Sequence, residues 1–147
     1  MKKKFVYLWI ALIIIFLFSA CGNNRTPQER IERICGIELP EGMEVKFHYT
    51  YDSVSGPDGL YTIFKLKEEP THFLSKFTLK EKMGPTSEKD FDYSLAGHVD
   101  KEYYPKWENN YYRVTGITNI PTIEISSIEV LYFPDILELI FLILPSD

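Results

Sequence analysis

Near its C-terminus the chain reads "TIEISSIEVLYFPDILELIFLILPSD", and no other stretch restricts the fold as strongly. Leu139 to Leu144 are apolar at every position, so no alternation leaves one face for water. Six such residues are too few to cross a bilayer, which requires about 20. Pro134, Asp135 and Glu138 also interrupt the longer apolar tract. A short run apolar on both sides fits a strand covered on both faces. The stretch therefore predicts two strands, near Ile123–Phe133 and Leu137–Leu144, joined by a turn at Pro134 and Asp135, with the last strand central.

Upstream patterning supplies partners for that strand. In "MEVKFHYTY" Met43, Val45, Phe47, Tyr49 and Tyr51 fall on one side, with Glu44, Lys46, His48 and Thr50 on the other. That alternation describes a half-buried strand and makes His48 a surface residue. "DSVSGPDG", Asp52 to Gly59, is dense in turn formers, and "LYTIFKLK", Leu60 to Lys67, resumes a strand. Before them, Thr26, Pro27 and Glu29 form a T-x-x-E helix start with proline at the first helical position. Ile31, Ile34 and Cys35 then share one helical face, and Gly36 ends the helix. "PTHFLSKF" suggests a short helix, and "SEKDFDYSLAG" a helix capped by Ser87 and stopped at Gly97. "NYYRVTGI" reads as extended. The predicted class is α+β: a small antiparallel β-sheet of four to six strands, with one to three short helices against one face.

The first twenty residues read differently. Lys2, Lys3 and Lys4 precede an uncharged run from Phe5 to Ala20, about 24 Å long as a helix. A basic start, an apolar middle and small residues at the end describe an export signal better than a permanent span. An ordinary signal peptidase could use Ala20 and Gly22, cleaving after Gly22. "LFSAC", Leu17 to Cys21, resembles the lipobox of bacterial lipoproteins, with Phe18, Ser19 and Ala20 preceding the cysteine. The resemblance covers the leader alone. It implies that residues 1–20 are a signal peptide, that Cys21 becomes the lipidated N-terminus, and that 21–25 form a tether. Residues 26–147 would then be a single α+β globular domain. A bare N-terminal thiol would be reactive, whereas two acyl chains suffice for stable anchoring. The partner implied is the membrane, through Cys21. The location implied is the extracytoplasmic side of the cell membrane, or the outer membrane if the cell has one, since Gly22 rather than aspartate follows the cysteine.

Of the 16 basic residues, three lie in the leader; the remaining 13 face 21 acidic residues, a net charge of −8. That balance argues against nucleic acid as a partner, because phosphate recognition needs a basic face. With Cys21 acylated, only Cys35 remains, in apolar surroundings that suit a buried small hydrophobe rather than a nucleophile. His48, His72 and His98 are isolated and match no zinc spacing. Asp52 and Asp58 flank a loop that departs from the calcium-binding order at Val54 and Gly56. Glu68 with Glu69, and Asp90 with Asp92, lie in charged segments that give no reason for raised carboxyl pKa values. No serine sits in a nucleophile elbow, and no glycine-rich phosphate loop occurs. Neither catalytic residues, nor a metal, nor a cofactor is therefore expected.

One segment suits recognition. "EYYPKWENNYY" concentrates Tyr103, Tyr104, Trp107, Tyr111 and Tyr112, rings with polar handles of the kind enriched at binding surfaces. The bland reading, that these rings fold back to cover the sheet as tyrosines often do, outweighs that of recognition. The function expected is a non-enzymatic extracytoplasmic binding or accessory domain, with an envelope protein as partner. A small envelope hydrolase or metal-dependent enzyme is one alternative. An immunity or exclusion lipoprotein that blocks a toxin or phage component is another.

Overall fold

The computed structural model describes residues 25–52, 58–118 and 125–145. The expected signal peptide, Cys21 and the expected tether as far as Asn24 lie outside the described residues, as do positions 53–57 of the loop after Asp52 and 119–124, where the expected strand from Ile123 begins.

The chain forms helix α1 (Pro27–Cys35), strands β1 (Glu44–Tyr51) and β2 (Gly59–Lys65), a short helix α2 (Thr71–Leu74), strand β3 (Thr78–Lys80) and helix α3 (Pro85–Leu95). A 3-10 turn (Lys101–Tyr103), β4 (Tyr112–Thr115), β5 (Ile125–Phe133), a second 3-10 turn (Pro134–Ile136) and β6 (Glu138–Pro145) follow. All six strands make one antiparallel sheet in the order β1-β2-β6-β5-β4-β3. The fold is α+β, and β6 is central, as its two-sided apolarity requires.

The helices cover both faces of the sheet, not the single face anticipated. Leu139, Phe141 and Ile143 of β6 join Leu60 and Phe64 of β2 under Ile31, Ile34 and Cys35 of α1 and Phe73 and Leu74 of α2. Ile140 and Leu142 point the other way, with Tyr61, Ile63, Leu131 and Phe133, under Phe91 and Leu95 of α3. Burying a large apolar side chain is worth about 1.5–3 kcal/mol. A strand apolar on both sides therefore forfeits several such contributions unless each face has a cover.

Local chemistry sets the helix ends. Thr26 accepts from the Glu29 amide at 3.2 Å, and the Glu29 carboxylate accepts from the Thr26 amide at 2.8 Å, completing the predicted capping box. Gly36 ends α1 at φ 63°, a left-handed conformation that favours glycine. Helix α3 starts earlier than expected: Gly84 is its N-cap and Pro85 opens it, which leaves Ser87 inside the first turn. Strand β3 had no legible signal, being three exposed residues.

The alternation of β1 is also broken. Val45 pairs with Phe64 and Phe47 with Ile63, so Lys46 is the extra residue of a β-bulge and the two flanking apolar residues face opposite sides. Lys46 Nζ reaches the Glu138 carboxylate at 2.5 Å, and Glu138 is only 5% exposed. That bond supplies a countercharge to a carboxylate at the buried start of β6.

At Gly59 an added Cβ would lie 2.5 Å from the Ile143 carbonyl oxygen and 2.5 Å from Pro145 Cδ. Gly59→Ala is therefore expected to lower unfolding free energy by about 1–3 kcal/mol, read from urea midpoints at unchanged m. Gly84→Ala, where nothing lies within 4 Å, should cost no more than about 1 kcal/mol. Equal losses at the two sites would contradict the close packing of β2 against β6.

Candidate functional site

After α3 the backbone turns at Gly97 (φ 81°) and runs back along the sheet through the first 3-10 turn towards β4. This path lays most of the aromatic segment on the α3 face. Tyr103 stacks on Phe47 with centroids 4.0 Å apart, and its carbonyl accepts from the Tyr61 hydroxyl at 2.7 Å. Trp107 meets Phe91 and Tyr111 edge-on at 5.5 and 5.2 Å. Its indole Nε1 donates to Asp92 Oδ1 at 2.9 Å. Tyr111 stacks on Phe133 at 5.2 Å; its hydroxyl donates to Glu88 Oε1 at 2.7 Å and accepts from the Met83 amide at 2.9 Å.

Tyr103, Tyr104, Trp107 and Tyr111 thus belong to the second hydrophobic core, with their polar atoms directed to fixed partners where bonds form. Tyr112 does not join them, for it is exposed and lies one residue along β4 from buried Tyr111. Among the described residues the ring left most open to solvent is Tyr93, 82% exposed on α3, which the sequence pattern had not singled out. Helical phase explains it: Phe91 and Leu95, at i and i+4, point inward, and Tyr93 stands between them on the outer side. Tyr51 belongs to the same layer, its hydroxyl donating to the Ser94 carbonyl at 3.1 Å, and burial pushes its pKa up to about 12. Burial also raises the Asp92 carboxyl, opposed by the Trp107 hydrogen bond.

A second constellation lies on the opposite face. His48 is half-buried beneath α1 rather than on the surface, because the polar side of β1 is covered there. Its Nδ1 is 2.8 Å from the Thr62 hydroxyl and its Nε2 is 3.3 Å from the Thr50 hydroxyl. Arg30 Nη1 donates to the same Thr50 oxygen at 3.1 Å, and Arg30 Nη2 lies 3.7 Å from Asp58 Oδ2. Arginine only donates, so the Thr50 hydroxyl accepts from it; which ring nitrogen donates and which accepts is set by the His48 tautomer. Thr62 is fully buried, so this bond satisfies a hydroxyl shut away from water. Desolvation, followed by the positive charge of Arg30, lowers the His48 pKa from 6.5.

The remaining titratable groups are placed less suggestively. Cys35 is buried on α1, and desolvation pushes its thiol up to about 12, the state of an inert thiol. His98 is exposed beside the rings of Tyr49 and Tyr51. His72, Glu68 and Glu69 line an open groove with Glu32, Glu38 and Glu41, floored in part by Leu66 and Phe73. A smaller polar cleft lies between α3 and the sheet, where Arg113 Nη2 pairs with both Glu129 oxygens at 2.9 and 3.0 Å near Ser87, Asp90 and Ser127. Among the described residues no three His, Cys, Asp or Glu side chains converge as a metal site would require. No helix among them is long and apolar enough to cross a membrane. No protein-family model, curated protein or solved structure matches the chain.

Separating core rings from surface rings gives a direct test. Tyr111→Ala should cost about 3–5 kcal/mol of stability, as large-to-small changes in a packed core do. Tyr93→Ala should stay within about 0.5 kcal/mol. Comparable small losses in thermal or urea unfolding would place Tyr111 on the surface instead.

Proposed function

We propose that the chain is a bacterial lipoprotein held to the membrane through Cys21, whose α+β domain binds a protein of the cell envelope without catalysing a reaction. The observation that carries this reading is the leader: three lysines, an uncharged run and "LFSAC" ending at Cys21. The structured domain starts close behind, since Thr26 already caps α1, and Gly22 to Arg25 alone lie between that cap and the cysteine. A domain on so short a leash works within a few nanometres of the lipid surface.

Binding rather than catalysis is supported by how the reactive groups are engaged. The Cys35 thiol is buried and inert, and both ring nitrogens of His48 are bonded to threonines. The aromatic segment that resembled a recognition loop is spent mainly on the second core, so a contact surface on that side would use Tyr93 and the outer edges of Tyr103 and Tyr104. The groove sets five glutamates against Lys67 and Lys76, and this acidic excess, on a mature chain of net charge −8, favours a basic partner. This keeps the immunity or exclusion reading in play, because occluding a basic toxin or phage protein calls for such a surface.

The test is the intact mass of membrane-extracted protein beside its Cys21→Ser variant. The expected wild-type product begins at Cys21 and carries acyl mass that the variant lacks. A product beginning at Asn23 without lipid, or one retaining Met1, would refute the anchor.

A further inference from the structure

The hydroxyl–histidine network joins three elements of the fold. Arg30 comes from α1, His48 and Thr50 from β1, and Thr62 from β2. We propose that His48 is a proton-sensitive latch that helps to hold α1 against the sheet through the Thr50 hydroxyl and Arg30, and that its protonation weakens this docking. The latch stands on the geometry of these three elements and needs no lipid anchor.

The direction follows from donor counting. With the ring neutral, one of its nitrogens accepts from a threonine hydroxyl and the other donates to one, while Arg30 gives to Thr50. A second ring proton makes both nitrogens donors. Thr50 Oγ1 then accepts from two cations, the imidazolium and the Arg30 guanidinium, whose charges repel. The charge acting on the ring is Arg30 from α1, which in turn lies near Asp58, the residue before β2. Asp58 offsets part of the repulsion, but its oxygen is 3.7 Å from Arg30 Nη2 and the side chain is well exposed. From β2 the ring is bonded to the neutral Thr62 hydroxyl.

The weakest joint of the three is the one to α1. Strands β1 and β2 are held by a seven-pair ladder. Helix α1 is nine residues long and too short to persist away from the sheet. Its hold is the apolar face formed by Ile31, Ile34 and Cys35, together with the Arg30 bond. The folded ring binds its proton less tightly than a free imidazole. As pH falls below about 6.5, the undocked state therefore takes up the proton first, so docking is fully present above that value and weakens as pH drops through the lower, docked one.

Hydrogen exchange read by mass spectrometry tests the latch on the full-length protein in detergent micelles, with rates corrected for the intrinsic effect of pH. Between pH 7.5 and pH 5, protection of the amides in Pro27–Cys35 is expected to fall about tenfold in wild type, the scale of losing one charge-assisted hydrogen bond. His48→Gln, which cannot gain a proton, should show no such fall, and Arg30→Gln should show a much smaller one. The midpoint of the wild-type change should coincide with titration of the His48 ring followed by NMR. That comparison keeps the test alive if a variant does not fold. Unchanged α1 protection in wild type, an equal fall in His48→Gln, or mismatched midpoints would each overturn the proposal. So would a parallel loss of protection in β6, which would mean that acid loosens the whole domain.

Discussion

Everything in this molecule is arranged around a strand that cannot show either side to water. Leu139 to Ile143 point alternately up and down and are all buried, so the sheet must be sandwiched and its middle must be β6. β2 and β5 flank it and share the requirement, since each contributes residues to both cores. The helices are short and individually marginal, and they persist because they shield apolar strand faces. The aromatic run between α3 and β4 follows from the same demand. The α3 face is wider than an eleven-residue helix can cover, and the rings of Tyr103, Trp107 and Tyr111 fill the remainder.

Two polar side chains buried in this arrangement are paired from the edge strand, whereas the Tyr132 hydroxyl and Arg113 Nε are buried without a hydrogen-bond partner among the described residues. Glu138, at the buried start of β6, meets Lys46, which the bulge in β1 sets free from the ladder. Thr62, in the middle of β2, meets His48. Both partners come from the edge strand, where a polar side chain can reach inward over the rim while its backbone keeps one side in water. β1 thereby does more than extend the sheet: it supplies the counter-groups that allow a carboxylate and a hydroxyl to be buried. The relay then extends one step outward, through Thr50, to Arg30 on α1.

Many elements were legible because their signals are local. The capping box at Thr26, the left-handed stop at Gly36, the strands at either end of the sheet's sequence and the turn at Pro134 each depend on neighbouring residues, and each occurs where the pattern placed it. Other features depend on contacts across long sequence separations and were not legible. Alternation in "MEVKFHYTY" predicted one continuous face and missed the bulge, which arises from register against β2. His48 looked solvent-facing because alternation marks the polar side of a strand but not what is packed upon it. Tyr111 and Tyr112 are adjacent and chemically identical, yet one is core and the other surface, according to how β4 aligns beside β5.

The amino-acid sequence by itself determined the class of fold, the central place of the last strand, and the start and stop of α1. Hydrophobic period, capping residues and charge act within a few positions of one another, so these properties needed no knowledge of distant contacts. Only the tertiary structure decided that both sheet faces are covered, that the aromatic segment serves mainly as core, and that Arg30, His48, Thr50 and Thr62 form one chain of hydrogen bonds. The physical reason is the same for all three. Burial and hydrogen-bond partnership belong to pairs of residues, and here most of the partners come from different elements of the chain.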